Sequence, residues 1–208
     1  MPITRDAQPS DPRWEREFVE LAHGLVMAGA KTKLIARYTG MSIRKIRSLY
    51  RLLRRMAAPA GPIVQGKARY YAVRITRTTS AWNIQCAIFL GCYERIGMIA
   101  EEPLHRGWQL LTAFKIYLSV TEALKKSTAA KRLDINQAYA VLTHCGFLED
   151  PKAELQRREC PSCLIRYPVV TTMPLKSQPC PVCSMNANSR RLVEQGAPAG
   201  RKSAAQRR

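Results

Sequence analysis

Apolar positions recur at three- and four-residue intervals along most of the chain, which predicts a mainly α-helical protein. Residues 15–28 place Phe18, Leu21, Leu25 and Val26 on one stripe, and Gly29 then breaks the helix. A second helix, starting near Lys31, carries Leu34, Ile35 and Tyr38. A third, from about Ile43 to Arg55, carries Ile46, Leu49, Leu52 and Leu53 as its buried side. Pro59, Gly61, Pro62 and Gly66 then mark a loop, and Tyr70, Tyr71, Val73 and Ile75 read as extended chain. Helix returns from about Ser80, with Trp82, Ile84, Ala87, Ile88, Phe89 and Leu90. Another spans Leu104 to Lys125, turning Trp108, Leu111, Phe114, Ile116, Leu118 and Leu124 mostly inward. Asp134 is placed to cap a last helix that carries Ala138, Val141 and Leu142 and stops near Gly146. Beyond about residue 158 the helical period is lost. Tyr167-Pro168-Val169-Val170 then predicts a short hairpin inside Leu164–Gln178.

The second and third helices form a helix-turn-helix pattern over Lys31–Arg54, with Thr39-Gly40-Met41-Ser42 as the turn. Ala36 is small where two steeply crossed helices approach, and Gly40 can take the left-handed conformation that ends the first of them. Ile46 is a branched plug beneath the crossing, and Ser42 is a candidate N-cap for the second helix. The outward face of that second helix then holds Arg44, Lys45, Arg47, Ser48, Arg51, Arg54 and Arg55. A helix of this kind fits a major groove. Arg44, Arg47 and Ser48 are the candidates for base edges, with Lys45, Arg51, Arg54 and Arg55 for the DNA backbone. The competing reading is an ordinary helical hairpin with a basic exterior.

Charge separates the two readings. The 208-residue chain carries a net +19, which favours polyanionic partners. Its distribution says more than its total: from Leu21 to Tyr93 there is no Asp or Glu, against thirteen Lys and Arg. A merely solvated helical surface interleaves both signs to gain i,i+4 pairs, so an acid-free basic stretch is better explained by phosphate. At 46% hydrophobic residues the chain can bury a core. No apolar run reaches the roughly 20 residues of a membrane-spanning helix, so no membrane association is expected.

Near the C-terminus stand Cys160-x2-Cys163 and Cys180-x2-Cys183, sixteen residues apart, with Pro161 and Pro181 inside the pairs. Two such turns present four thiolates to one tetrahedral Zn²⁺, and no His, Asp or Glu lies between Cys160 and Cys183 to open the site for catalysis. Paired disulfides need an oxidising compartment, whereas the chain opens MPITRDAQPSDPRWERE without an apolar signal segment. A redox pair needs only one Cys-x2-Cys, and an iron centre shares the spacing. Cys86, Cys92 and Cys145 read as small buried hydrophobes.

The expected organisation is a flexible N-terminus over 1–14 and a helical DNA-binding and assembly domain over 15–158, containing the helix-turn-helix-like unit 31–55. A four-cysteine, zinc-ribbon-like module over 159–184 and a disordered basic tail over 185–208 complete it. In its order of features the chain resembles the FlhC family of flagellar transcriptional activators. The resemblance rests on Met27-Ala28-Gly29-Ala30, on Thr39-Gly40-Met41-Ser42 leading to Leu49-Tyr50-Arg51, and on Trp82-Asn83-Ile84 through Phe89. It rests also on Tyr117-Leu118 and, most specifically, on the Cys-x2-Cys-x16-Cys-x2-Cys spacing. It implies Cys160, Cys163, Cys180 and Cys183 as ligands of one Zn²⁺, an FlhD-type subunit in a hetero-oligomer, double-stranded promoter DNA and RNA polymerase as partners, and a cytoplasmic location. An RNA-binding or ribosome-associated zinc ribbon is the alternative. An enzyme is not expected, because the acid-free first half offers no carboxylate cluster for Mg²⁺ and His23, His105 and His144 lie far apart.

Overall fold

The structure is a computed structural model that describes residues 12–56, 80–97, 102–123, 132–148 and 155–187. Six helices come first: α1 (Pro12–Met27), α2 (Thr32–Thr39), α3 (Ile43–Met56), α4 (Ser80–Arg95), α5 (Pro103–Ala123) and α6 (Ile135–His144). Two antiparallel strands follow, β1 (Leu155–Glu159) and β2 (Arg166–Val170), then a 3₁₀ turn over Leu175–Ser177 and a short helix, α7, over 181–187. The chain is mainly α, as its hydrophobic period requires. The expected loop and extended segment between α3 and α4 lie outside the described residues, as do Leu124 and Lys125.

Helices α1, α2 and α3 pack on one another, and α5 packs against α1 and α2 and joins them to α4 and α6. Close approach is possible because glycine stands at the crossings. A Cβ on Gly107 of α5 would lie 2.6 Å from Leu21 Cδ2 and 2.9 Å from Tyr38 Cβ, and one on Gly24 of α1 would lie 2.5 Å from Leu111 Cδ2. One apolar core results, with Leu21, Leu25, Ile35, Ile46, Phe89, Leu110, Leu111, Tyr117, Ile135 and Leu142 among its buried side chains. Tyr117 closes it with two polar contacts: its hydroxyl donates to Gln85 Oε1 at 2.6 Å and accepts the Leu133 N–H at 2.8 Å. Burial pushes the Tyr117 phenol well above its ordinary value, so it stays neutral.

Asp134 caps α6 as expected, accepting from the Asn136 and Gln137 N–H groups while Gln137 Oε1 accepts the Asp134 N–H. That box also orients Asn136, which reaches across the fold. Its Oδ1 accepts the Lys31 N–H at 2.8 Å and its Nδ2 donates to Gly29 O at 3.1 Å. The α1–α2 turn is thereby locked to α6.

Three expectations are corrected. Leu52 is 55% exposed and Ile116 42% exposed; each sits one residue off its helix's inner stripe, which Leu53 and Tyr117 occupy. The hairpin does not form inside 164–178. Val169 and Val170 pair backward with Gln156 and Leu155, because the first cysteine turn itself reverses the chain. The expected limits shift as well: residues 12–14 already belong to α1, β1 begins at Leu155 rather than after 158, and residues 185–187 continue α7; the rest of the tail lies outside the described residues.

Candidate nucleic-acid interface and metal centre

Helices α2 and α3 and their turn realise the helix-turn-helix geometry. Gly40 adopts φ 64° and donates its N–H to Ala36 O at 3.0 Å, ending α2 in the left-handed conformation that a Cβ disfavours. Thr39 Oγ1 bonds back to Ile35 O at 2.8 Å and accepts the Met41 N–H, stiffening the turn. Ser42 Oγ accepts the Lys45 N–H at 3.4 Å, a long cap, and Ser42 O receives the Ile46 N–H at 3.1 Å. Ile46 is fully buried. Tyr50, unremarked by periodicity, is buried as well and donates its hydroxyl to Ala30 O, tying α3 to the α1–α2 turn.

With Ile46, Tyr50 and Leu53 held inward, the opposite face of α3 is set. Arg44, Lys45, Arg47, Ser48, Arg51 and Arg55 are all exposed, and α3 contains no acidic residue. Arg51 lies against Ser48, its Nη2 3.4 Å from the hydroxyl oxygen. Arg54 belongs to the same helix; its side chain is outside the described residues. The surface is one helix wide and positively charged.

In the C-terminal module, the first cysteine pair sits on the β1–β2 connection. Cys160 N–H donates to Ile165 O at 3.0 Å, and Leu164 N–H returns to Cys160 O at 2.9 Å, with Leu164 at φ 58°. The second pair opens α7, with Pro181 at its first position, where no N–H is needed, and the Ser184 N–H bonded to Cys180 O at 2.9 Å. The two turns meet so that all four sulfurs lie within 4.8 Å of one another. Cys160 Sγ is 3.7 Å from Cys183 Sγ, and Cys163 Sγ is 3.5 Å from Cys180 Sγ. Sulfurs held about 2.3 Å from one tetrahedral Zn²⁺ stand about 3.8 Å apart, so the donor set fits such an ion. The N–H groups of Cys163 and Ser162 bring the Cys160 thiol down to about 6, into the range where it is thiolate.

Gln178 completes the module. Its Oε1 accepts the Val170 N–H at 2.6 Å, and its Nε2 donates to Val170 O at 3.0 Å and Met173 O at 3.1 Å, doing for the end of β2 what a third strand would do. Cys160, Tyr167, Val169 and Cys180 pack with Ala87 of α4. Glu94, on the same helix, forms an ion pair with Arg157 and lies 4.0 Å from Arg166. Sequence reasoning missed both Gln178 and Glu94. A signal for Glu94 existed, since it is the acid that ends the acid-free run from Leu21 to Tyr93. Cys86, Cys92 and Cys145 are no part of the cluster. Burial pushes all three thiols up, Cys145 to about 12, which keeps them unreactive.

A family model described as flagellar transcriptional activator (FlhC) matches residues 13–195. This chain belongs to the FlhC family. The match covers the three-helix unit, the α4–α6 scaffold and the cysteine cluster, so one FlhC unit accounts for both sites. FlhC proteins form a family of transcriptional activators, not of enzymes. Among the described residues, no helix is long and apolar enough to cross a membrane. A search of curated proteins gives no match.

Proposed function

We propose that this FlhC-family chain is a DNA-binding subunit that seats α3 in a major groove upstream of flagellar promoters. Arg44, Arg47 and Ser48 reach base edges there, while Lys45, Arg51, Arg54 and Arg55 neutralise flanking phosphates. The observation that carries this reading is the exposed, acid-free cationic face of α3 on a helix whose other side is locked by Ile46 and Tyr50. One helix-turn-helix covers too little DNA for high specificity, so the subunit works in a hetero-oligomer with an FlhD-type partner. It activates by recruiting RNA polymerase and acts in the cytoplasm, where both DNA and polymerase are. Cys160, Cys163, Cys180 and Cys183 hold one Zn²⁺ per chain. A closed four-thiolate site supplies folding energy and no catalytic water.

Duplex binding to a flagellar promoter fragment, with and without an FlhD-type partner at two salt concentrations, tests the reading. Partner-dependent binding that resists added salt and non-specific competitor supports it. Partner-indifferent binding that collapses with salt means that the net charge acts alone. Arg47→Ala should cost about 1–3 kcal/mol of promoter affinity and relax base preference, while Arg51→Ala should weaken all sequences alike and lower the salt slope by about 1. Both variants should fold normally by circular dichroism.

A further inference from the structure

Between α2 and α6 lies a cleft of about 380 Å³, lined by none of the α3 cations and by no cysteine. Lys31, Lys33 and Arg37 stand along one side of it. Lys33 and Arg37 are four residues apart on α2, a spacing at which like charges repel. Among the described residues no carboxylate pairs with either of them, and no acidic side chain lines the cleft.

On the opposite side His144 also lines the cleft, while the polar groups of Asn136 and Thr143 are already occupied. Both ends of the Asn136 amide are committed to the α1–α2 turn, and Thr143 Oγ1 donates to Tyr139 O at 3.1 Å. The Tyr139 hydroxyl accepts from Arg37 Nη1 at 2.8 Å, which anchors that guanidinium at the cleft while its fork keeps further N–H donors for a ligand. A ligand would meet positive charge and the His144 imidazole above a floor of Leu34, Ala140 and the Tyr139 ring. Concentrated cationic charge of this kind selects a phosphate over a single carboxylate or a neutral polar group. The volume is that of a small-ligand site, large enough for a mononucleotide and far too small for a folded partner.

We propose that the α2–α6 cleft binds the phosphate of a nucleotide unit, with Lys33 and Arg37 as the charge-bearing contacts and the apolar floor under the rest of the ligand. The phosphate comes either from a free mononucleotide or from a strand of bound DNA. The inference stands apart from the groove assignment of α3, and the controls keep them separate.

The test is equilibrium dialysis of the full chain against AMP, GMP and inorganic pyrophosphate, alongside DNA binding at several salt concentrations. The proteins compared are the parent, Lys33→Gln, Lys33→Gln/Arg37→Gln and, as a control, Arg47→Ala. Saturable nucleotide binding that falls about tenfold or more in the double variant and is unchanged in Arg47→Ala assigns the site to a free nucleotide. No nucleotide binding, but a smaller salt slope for DNA in the double variant, assigns it to the DNA backbone. A double variant that matches the parent with every ligand overturns the proposal. Lys33 is exposed, so Lys33→Gln retains the fold and carries the same comparison if the double variant does not fold.

Discussion

The helical region and the cysteine module solve the same stability problem by different means. Among the described residues, twenty-seven buried hydrophobic side chains join the main core, whereas the largest cluster in the module has five, of which two are metal-ligand candidates and one, Ala87, is borrowed from α4. The helical region therefore stands on removal of apolar area from water. The module has two five-residue strands, a glutamine in place of a third, and four sulfurs at metal-binding distances. So few strands with so little apolar area are marginal in water, and a bound ion makes up the difference. One region spreads its stability over many apolar contacts; the other depends on one centre.

The sharpest break in that contrast is Cys160→Ser, or a strong chelator. Either should release the metal and melt residues 155–187, removing on the order of 10 kcal/mol of metal-linked stabilisation, while α1–α6 stay helical. Metal analysis and circular dichroism check it; a variant that retains one tightly held Zn²⁺ contradicts the ligand set. Acid should act in the same direction. Protons compete with the metal for all four thiolates, so lowering the pH should release the ion and weaken the module, read by metal analysis across an acid titration.

The converse test is in the core. Gly107→Ala forces a Cβ against Leu21 and Tyr38 and should cost about 1–3 kcal/mol, read by denaturant titration, with metal content unchanged. Asp134→Ala removes the cap of α6 and should cost about 1 kcal/mol. The smallest effect is expected at the seam. Glu94→Gln breaks the partly exposed pairing with Arg157 and Arg166 and should cost below about 1 kcal/mol. A large loss there would mean that the two regions fold as one unit.

Much of the fold was legible because helical period, caps and breakers act locally. The helix-turn-helix limits follow from Gly40 and Ile46, the start of α6 from Asp134, and the cysteine cluster from spacing alone. Leu52 and Ile116 were misread because an apolar side chain one step off a stripe looks inward until the neighbouring helix is in place. The hairpin was misassigned for a related reason. Val169 and Val170 carry strong strand preference but no information about their partner, and Gln156-Arg157-Arg158 does not resemble a strand in sequence.

By itself, then, the sequence determined the helical class, the turn between α2 and α3, the acid-free basic stretch and the four sulfurs, since each depends on residue type at short spacing. Tertiary structure alone decided that Asn136 clamps the α1–α2 turn, that Glu94 meets Arg157, and that Lys33 and Arg37 face α6 across a cleft. These contacts join residues 63 to more than a hundred positions apart. No local preference encodes such a meeting; it follows only when helix packing brings distant elements together.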